Sequence, residues 1–492
     1  MPLVDLERPI SSPVIMLFRR DLRLDDNPAL SAAVATGQPV TCLFVLDDIA
    51  PGVWAPGGAA RWWLHHSLAE LAQALRDCGG ALVLRRGNTT DVVADVARAT
   101  SATALYLARR YEPWAAAQEA ALHQDLTADG VSVHRYGGTL VAEPEAIHTA
   151  QGTPFKVFTP FYRTVVKSLP APQPVAAPPR VPAPESRIES DALEDWNLRP
   201  VAPDWAGGLR ESWTPGASGA AACLDTFVDD AMVTYETTRD RPAITGTSAL
   251  SAHLHFGEIS PRRCLARLTF AADSRPEGAS GATAVARQLV WRDFAHHLLH
   301  HWPSLPESPF RPEYASFPWR DDPARLRAWQ RGRTGFPLVD AGMRQLWHTG
   351  WMHNRVRMVV ASFLVKHLMI PWQAGEAWFW DTLVDADLAN NAANWQWVAG
   401  CGADAAPYFR VFNPILQSEK FDPQGAYLRR WLPELRALSD KHIHRPWAVP
   451  PLDLAAAGIT LGKTYPEPII THEAGRARAL AAFQDWRKAN AR

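Results

Sequence analysis

The chain has 492 residues, 47% of them hydrophobic and 21% charged, with a formal net charge of −1. That length allows two or three domains with large cores, and the balance excludes disordered and fibrous classes. The near-neutral charge excludes a chain that is basic throughout, but a local basic groove is enough to steer and grip phosphate. The basic residues are mostly arginine. The planar fork of arginine suits phosphate and stacks on bases; a GC-rich coding bias explains the same preference.

The five cysteines, Cys42, Cys78, Cys223, Cys264 and Cys401, are scattered and form no CxxC. Such a set fits neither a disulfide framework nor a zinc site, and it suits a reducing cytoplasm. The opening MPLVDLERPISSPVIMLFRRDLR lacks a basic segment followed by a long apolar one, so no signal peptide is expected. The longest apolar stretch, Met358 to Ile370, is too short to span a bilayer and is broken by Lys366 and His367. A soluble cytoplasmic protein is expected, without a membrane segment.

The first third alternates between strand and helix patterns. Strands are expected at Val14–Phe18, Val40–Leu46, Ala81–Leu84, Ala104–Ala108 and Val131–Arg135. A helix starts at Asn27-Pro28, an N-cap followed by proline at the first helical position. Further helices are expected at Ala59–Cys78, ended by Gly79-Gly80, then at Thr90–Thr100 and Pro113–Gly130. This alternation predicts a doubly wound, Rossmann-like parallel sheet with helices on both faces. No GxGxxG or GxxxxGK[ST] follows the first strand, which disfavours ordinary dinucleotide or P-loop chemistry there. Ser168 to Pro203 is rich in Pro, Ala and Ser and reads as a semi-extended connector. Beyond about Ala220 strand patterns vanish, and helices are expected at 220–237, 247–272, 279–301, 322–331, 337–348, 351–369 and 372–386. The partition is 1–140 α/β, 141–210 connector and 211–492 all-α.

The unusual motifs lie in the helical part. Gly246-Thr247-Ser248-Ala249-Leu250-Ser251 places small hydroxylic residues before a helix, where free backbone N–H groups bind phosphate; an ordinary N-cap is the plainer reading. Gln288 and Trp291, three apart, offer an amide and an indole on one helix face. In Trp351-Met352-His353-Asn354-Arg355-Val356-Arg357-Met358 the two arginines lie on different faces, so one can meet DNA phosphate while the other meets a buried partner. The histidines of HHLLHH at 296–301 have no Asp, Glu or Cys at ligand spacing, and no metal is expected. The most informative stretch is Trp380 to Trp397, DTLVDADLANNAANWQW after its first tryptophan. On a helix, Asp387, Asn391 and Trp395 form one row four residues apart. A row of carboxylate, amide and indole suits a polar, aromatic-edged cofactor better than a hydrocarbon core.

Taken in order with FRRDLRLDDNPAL at 18–30 and DAAPYFRVFNPILQSEKFD at 404–422, these motifs resemble the photolyase/cryptochrome flavoprotein family, most closely its bacterial cyclobutane pyrimidine dimer (CPD) photolyases. The resemblance covers nearly the whole chain. It implies an α/β antenna domain, a connector and a helical domain that holds FAD bent into a U. By resemblance, Tyr235, Arg239, Thr247, Ser248, Ala249, Leu250 and Ser251 hold the phosphates and ribityl chain. Gln288, Arg292 and Asn354 line the flavin, Arg357 pairs with Asp385, and Asp385, Ala386 and Asp387 face the ring edge. Asn391 sits by flavin N5, where plant cryptochromes tend to carry Asp, and so leans toward repair. Trp395, Trp372 and Trp319 correspond to the family's electron-transfer row. Trp291, Asn354, Arg355, Met358 and Trp397 would meet damaged DNA.

The implied reaction is blue-light-driven repair of a dimer flipped out of the duplex, an extrusion that costs least where damage has weakened stacking. Met358 stands where (6-4) photolyases tend to have a catalytic histidine, which favours cyclobutane dimers. Gln288 departs from the usual Glu and can donate a hydrogen bond but not a proton. Ala249 departs from a basic residue in some relatives. A second chromophore, methenyltetrahydrofolate or a deazaflavin, is expected in the α/β domain, with Glu112 and Glu143 as candidate contacts. A monomer is expected. The alternatives are a cryptochrome-like photoreceptor with little repair and a non-photochemical nucleotide-binding enzyme.

Overall fold

The computed structural model describes residues 12–490 except Pro170, Arg187 and Phe409. The first eleven residues, on which the absence of a signal peptide partly rests, lie outside the described residues, as does Phe409 of the DAAPYFRVFNP motif.

Five strands, β1 (Val14–Phe18), β2 (Val40–Leu46), β3 (Leu82–Arg86), β4 (Ala104–Ala108) and β5 (Ser132–Tyr136), form one parallel sheet in the order β3-β2-β1-β4-β5. Side chains alternate across it as the two-residue period requires. Val14, Met16 and Phe18 enter one core layer, while Ile15 and Leu17 enter the other. The layers are supplied by α1 (Pro28–Ala35), α2 (Gly58–Asp77), α3 (Thr89–Thr100) and α4 (Pro113–Ala128). The Asn27 side chain accepts from the backbone N–H of Leu30 at 3.1 Å, with Pro28 following, so the expected helix start is present.

Beyond the sheet the described residues are helical, with one isolated bridge between Leu461 and Tyr465. One expected helix divides and another ends early. The segment 247–272 becomes Ser251–Phe256 and Pro261–Ser274. Gly257 between them has φ +69°, and a Cβ there would collide with the Arg20 carbonyl, so the domain contact requires glycine. Pro261, capped by Ser260, then starts the second helix, because it has no N–H to continue the first. The segment 372–386 ends at Thr382, and a new helix, Leu388–Ala399, begins under the side-chain cap of Asp387.

The connector is not a passive tether. Its helix α5 (Phe158–Ser168) sends Phe158, Phe161 and Val165 into the large helical core. Further along, Leu193, Trp196 and Leu198 join the α/β core. Each end of the connector is thus buried in a different body, which holds the two together by apolar contact.

Candidate functional site

Three helices supply most of the wall of a cavity of about 1030 Å³. Helix Ala279–His301 contributes one face at helical spacing: Ala284, Gln288, Trp291, Ala295 and Leu298. The facing wall has Asn354 and Met358 from helix Asn354–Ser362, and Asn390, Asn394 and Trp397 from helix Leu388–Ala399. Arg239 and Ser251 complete it. An inner recess shares Asn354, Met358, Asn390, Asn394 and Trp397 with this cavity and adds Arg357, Asp385, Ala386, Asp387, Asn391 and Trp395. Most of the residues singled out from sequence therefore meet in one place, although they come from segments more than 150 residues apart.

Several do not meet there. Thr247, Ser248 and Ala249 line a separate cavity of about 470 Å³ beside Phe227, Leu250 is buried, and Tyr235 lies under the Arg239 guanidinium, 5.2 Å from carbon to ring centre. Arg355 is paired with Asp240 at 2.7 Å and covers the Phe421 ring, so its charge is already engaged. Arg292 lines the cavity but donates to the carbonyls of Thr139 and Leu254, tying the chain after β5 to the helical body.

The inner recess is strongly polarised. Arg357 meets Asp385 at 2.8 Å, and the Asp385 side chain is only 4% exposed. Asp387 accepts from the Asn390 backbone N–H at 2.8 Å and lies 3.3 Å from the His296 ring and 3.8 Å from that of His255. Burial by itself would raise the Asp387 carboxyl, but His296 and His255 hold it well below the usual carboxylate range. Burial, helped by Arg20, lowers His255 to about 4, whereas Asp387 outweighs burial at His296 and raises it. Asn391 donates through Nδ2 to the Glu376 carbonyl at 3.0 Å, which fixes its amide plane.

Trp395 is buried, its ring lies on Gly375, where a Cβ would collide with it, and its Nε1 has no hydrogen-bond partner. Trp372 sits one turn before Gly375 on helix Trp372–Thr382 and is buried, while Trp319 is partly exposed and pairs with Phe317 at 4.6 Å. The ring neighbours of Trp395 are Phe379 at 5.0 Å and Trp329 at 6.2 Å.

Sequence reading missed four groups, three of them around this cavity. Phe158 stacks flat on Trp291, 3.4 Å between centroids with 8° between planes. Tyr162 and Arg287 line the cavity. The signal for Arg287 was present, since it lies four residues before Trp291 on an already suspected face; α5 lies just before the proline-rich stretch, within the assigned connector, where no helix was expected.

Glu376 is the other omission. It is wholly buried, both carboxyl oxygens lack partners, and burial alone raises its pKa well above 4.5. A carboxyl that keeps its proton longer when folded contributes its full stability below the unfolded pKa and loses it as pH rises. Glu376→Gln is therefore expected to gain stability over the parent as pH rises from 5 to 8, by at most about 1.4 kcal/mol per pH unit. Urea unfolding at both pH values measures this; an equal difference at the two would show that the carboxyl is not held neutral.

A second, smaller cavity lies at the carboxyl ends of β1, β2 and β4, the usual ligand edge of a parallel sheet. Arg20, Arg110, Glu112, Trp54, Trp114 and Trp380 line it. Burial opposes ionisation of Glu112, but Arg110 at 2.6 Å holds its carboxyl down to about 2. Glu143 points elsewhere and bonds Arg109 and Tyr111.

A parallel α/β domain joined to a helical body with a deep aromatic cavity defines a two-domain protein built to hold a large ring-bearing ligand in its helical half. Two family models match the chain: DNA photolyase over residues 14–182, and the FAD-binding domain of DNA photolyase over 285–485. The chain is 48% identical to a deoxyribodipyrimidine photo-lyase of Agrobacterium fabrum over 480 residues, covering 97% of this chain and 99% of that one. It is 38% identical to Cryptochrome-1 of Arabidopsis thaliana, covering 96% of this chain and 70% of that one. A crystal structure of a bacterial class III photolyase from Agrobacterium tumefaciens superimposes with a TM-score of 0.95 at 47% identity, covering 99% and 100% of the two chains. The chain belongs to the DNA photolyase and cryptochrome family.

The residues present fit FAD. The cavity is large enough for a dinucleotide, arginines and Ser251 suit its phosphates, and carboxylates at the inner edge suit ring N–H groups. The orphaned Trp395 N–H lies in the same wall. Among the described residues no cluster of metal ligands is found, and no helix is long and apolar enough to cross a membrane.

Proposed function

We propose that the protein repairs cyclobutane pyrimidine dimers in DNA under blue light. The observation that carries this reading is the junction of the two cavities. The inner recess carries Asn391, Asp385 and Asp387, and it opens on an outer chamber walled by Trp291, Trp397 and Met358. Light-excited reduced FAD in the recess would supply one electron and take it back after the ring has opened.

The chain's own residues supply position and electrostatics. Trp291 is held flat by Phe158, so only its other face is offered to a flipped base. Met358 gives an adaptable apolar contact. Asn391, anchored on the Glu376 carbonyl, presents an amide rather than a charge to the recess. Trp395, Trp372 and Trp319 form the row that restores the reduced state. A light-gathering second chromophore, folate or deazaflavin, is expected in the α/β domain, but the sheet-edge cavity beside Glu112 and its three tryptophans, about 70 Å³, is too small to hold it as it stands. The free cysteines support a reducing, cytoplasmic setting for this activity; a monomer is expected.

The decisive experiment is a dimer-containing oligonucleotide with protein, with and without blue light. No light-dependent loss of dimer would favour the photoreceptor reading, supported by the 38% identity to a cryptochrome. Gln288 lines the outer chamber, and its one bond is a long 3.4 Å contact to the Ala284 carbonyl, so its amide is available to a substrate. Gln288→Glu adds a group that can give a proton and is expected to raise the repair quantum yield about twofold, far less than the roughly 10²–10⁴-fold a general acid gives a rate, because a yield cannot exceed one. An unchanged yield would remove any proton-donating part for this position.

A further inference from the structure

Arg287 is exposed, lines the outer chamber, and therefore stands at its mouth. Among the described residues no acidic side chain pairs with it. Its guanidinium carbon lies 5.5 Å from the ring centres of both Phe158 and Tyr162, which sit one turn apart on α5. The two rings are themselves stacked at 5.7 Å and 30°, and Phe158 continues into Trp291. An exposed arginine normally samples many rotamers and loses that freedom on binding. Here cation–π contact on two rings restrains it before any ligand arrives. The chamber wall holds three arginines, Arg239, Arg287 and Arg292, against one carboxylate, Glu236. Arg292 is spent on backbone carbonyls, which leaves Arg287 and Arg239 as open cations.

We propose that Arg287 grips a DNA phosphate beside the flipped dimer and that connector helix α5 is part of the DNA-binding wall. The grip and the base-stacking platform are one unit, since the Phe158 ring neighbours both Arg287 and Trp291. This rests on the repair reading above. A planar fork binds phosphate with two parallel hydrogen bonds, whereas lysine offers a point charge and a weaker stack.

The test measures dark binding of flavin-loaded protein to a dimer-containing duplex and to its undamaged counterpart at several salt concentrations. Arg287→Ala is expected to weaken dimer binding about tenfold and to make the log K against log salt slope shallower by about 0.9, the loss of one phosphate contact. Arg287→Lys is expected to keep the slope and lose affinity several-fold. If the wild type does not prefer the dimer, the repair reading itself falls. If the wild type does prefer it, and Arg287→Ala leaves affinity unchanged or weakens it without altering the slope, the phosphate grip alone is overturned.

Discussion

Asp385→Asn is expected to leave the protein folded but nearly colourless. Asp385 is the almost wholly buried partner of Arg357, and the pair forms the inner end of the recess. Asparagine keeps the shape and one acceptor oxygen but not the charge, so Arg357 would keep only neutral acceptors, among them the Met352 carbonyl at 2.7 Å from its Nε. Removing one member of a buried pair typically costs about 3–5 kcal/mol. Part of that cost is relieved by water entering the cavity, and the remainder falls on the ligand the pair helps to orient. FAD affinity should drop about a hundredfold, equivalent to about 2.7 kcal/mol. Flavin absorbance per chain after gel filtration, and titration of the flavin-free protein with FAD, measure it. Stoichiometric flavin in the variant would show that the pair is structural only.

Trp395→Phe should nearly abolish photoreduction of the oxidised protein while sparing repair by chemically reduced protein. Trp395 is the tryptophan common to the recess wall and to the seam with helix Trp372–Thr382. In the proposed row, its indole gives one electron toward the recess and is refilled from Trp372 and Trp319. Phenylalanine fits the space but is much harder to oxidise. A fall of about a hundredfold or more in the photoreduction rate, a barrier increase of roughly 2.7 kcal/mol, is expected. Repair by dithionite-reduced variant should stay within about threefold of wild type, because that route bypasses the row. Photoreduction at the wild-type rate would remove Trp395 from it. Trp329, 6.2 Å from Trp395, is the neighbouring indole that would then require attention.

The α/β half was legible because its signals are local. The short apolar run of β1 and the Asn27-Pro28 start act within a few residues of themselves, and both appear as read. The helical half was legible in content but not in its joints. The division after Phe256 depends on Gly257 meeting Arg20, a contact spanning more than 200 residues, which no periodicity records. The helix start at Asp387 is visible only in part, since the same aspartate fits a helix row and a cap. The row of Asp387, Asn391 and Trp395 was right in spacing, with its first member as the cap.

The site divides in the same way. Residues carried on one helix face, such as Gln288 with Trp291 or Asn354 with Met358, were already neighbours in the sequence at helical spacing. What the sequence determined by itself was the order of two domains, the chemistry of the DADLANNAANWQW row, and through it the family. Only the tertiary structure decided which cations are free. Arg355 is consumed by Asp240 and Arg292 by backbone carbonyls, while Arg287 is left open over Phe158 and Tyr162. Propensity and period are properties of adjacent residues, but the availability of a charge depends on partners that the fold brings from elsewhere in the chain.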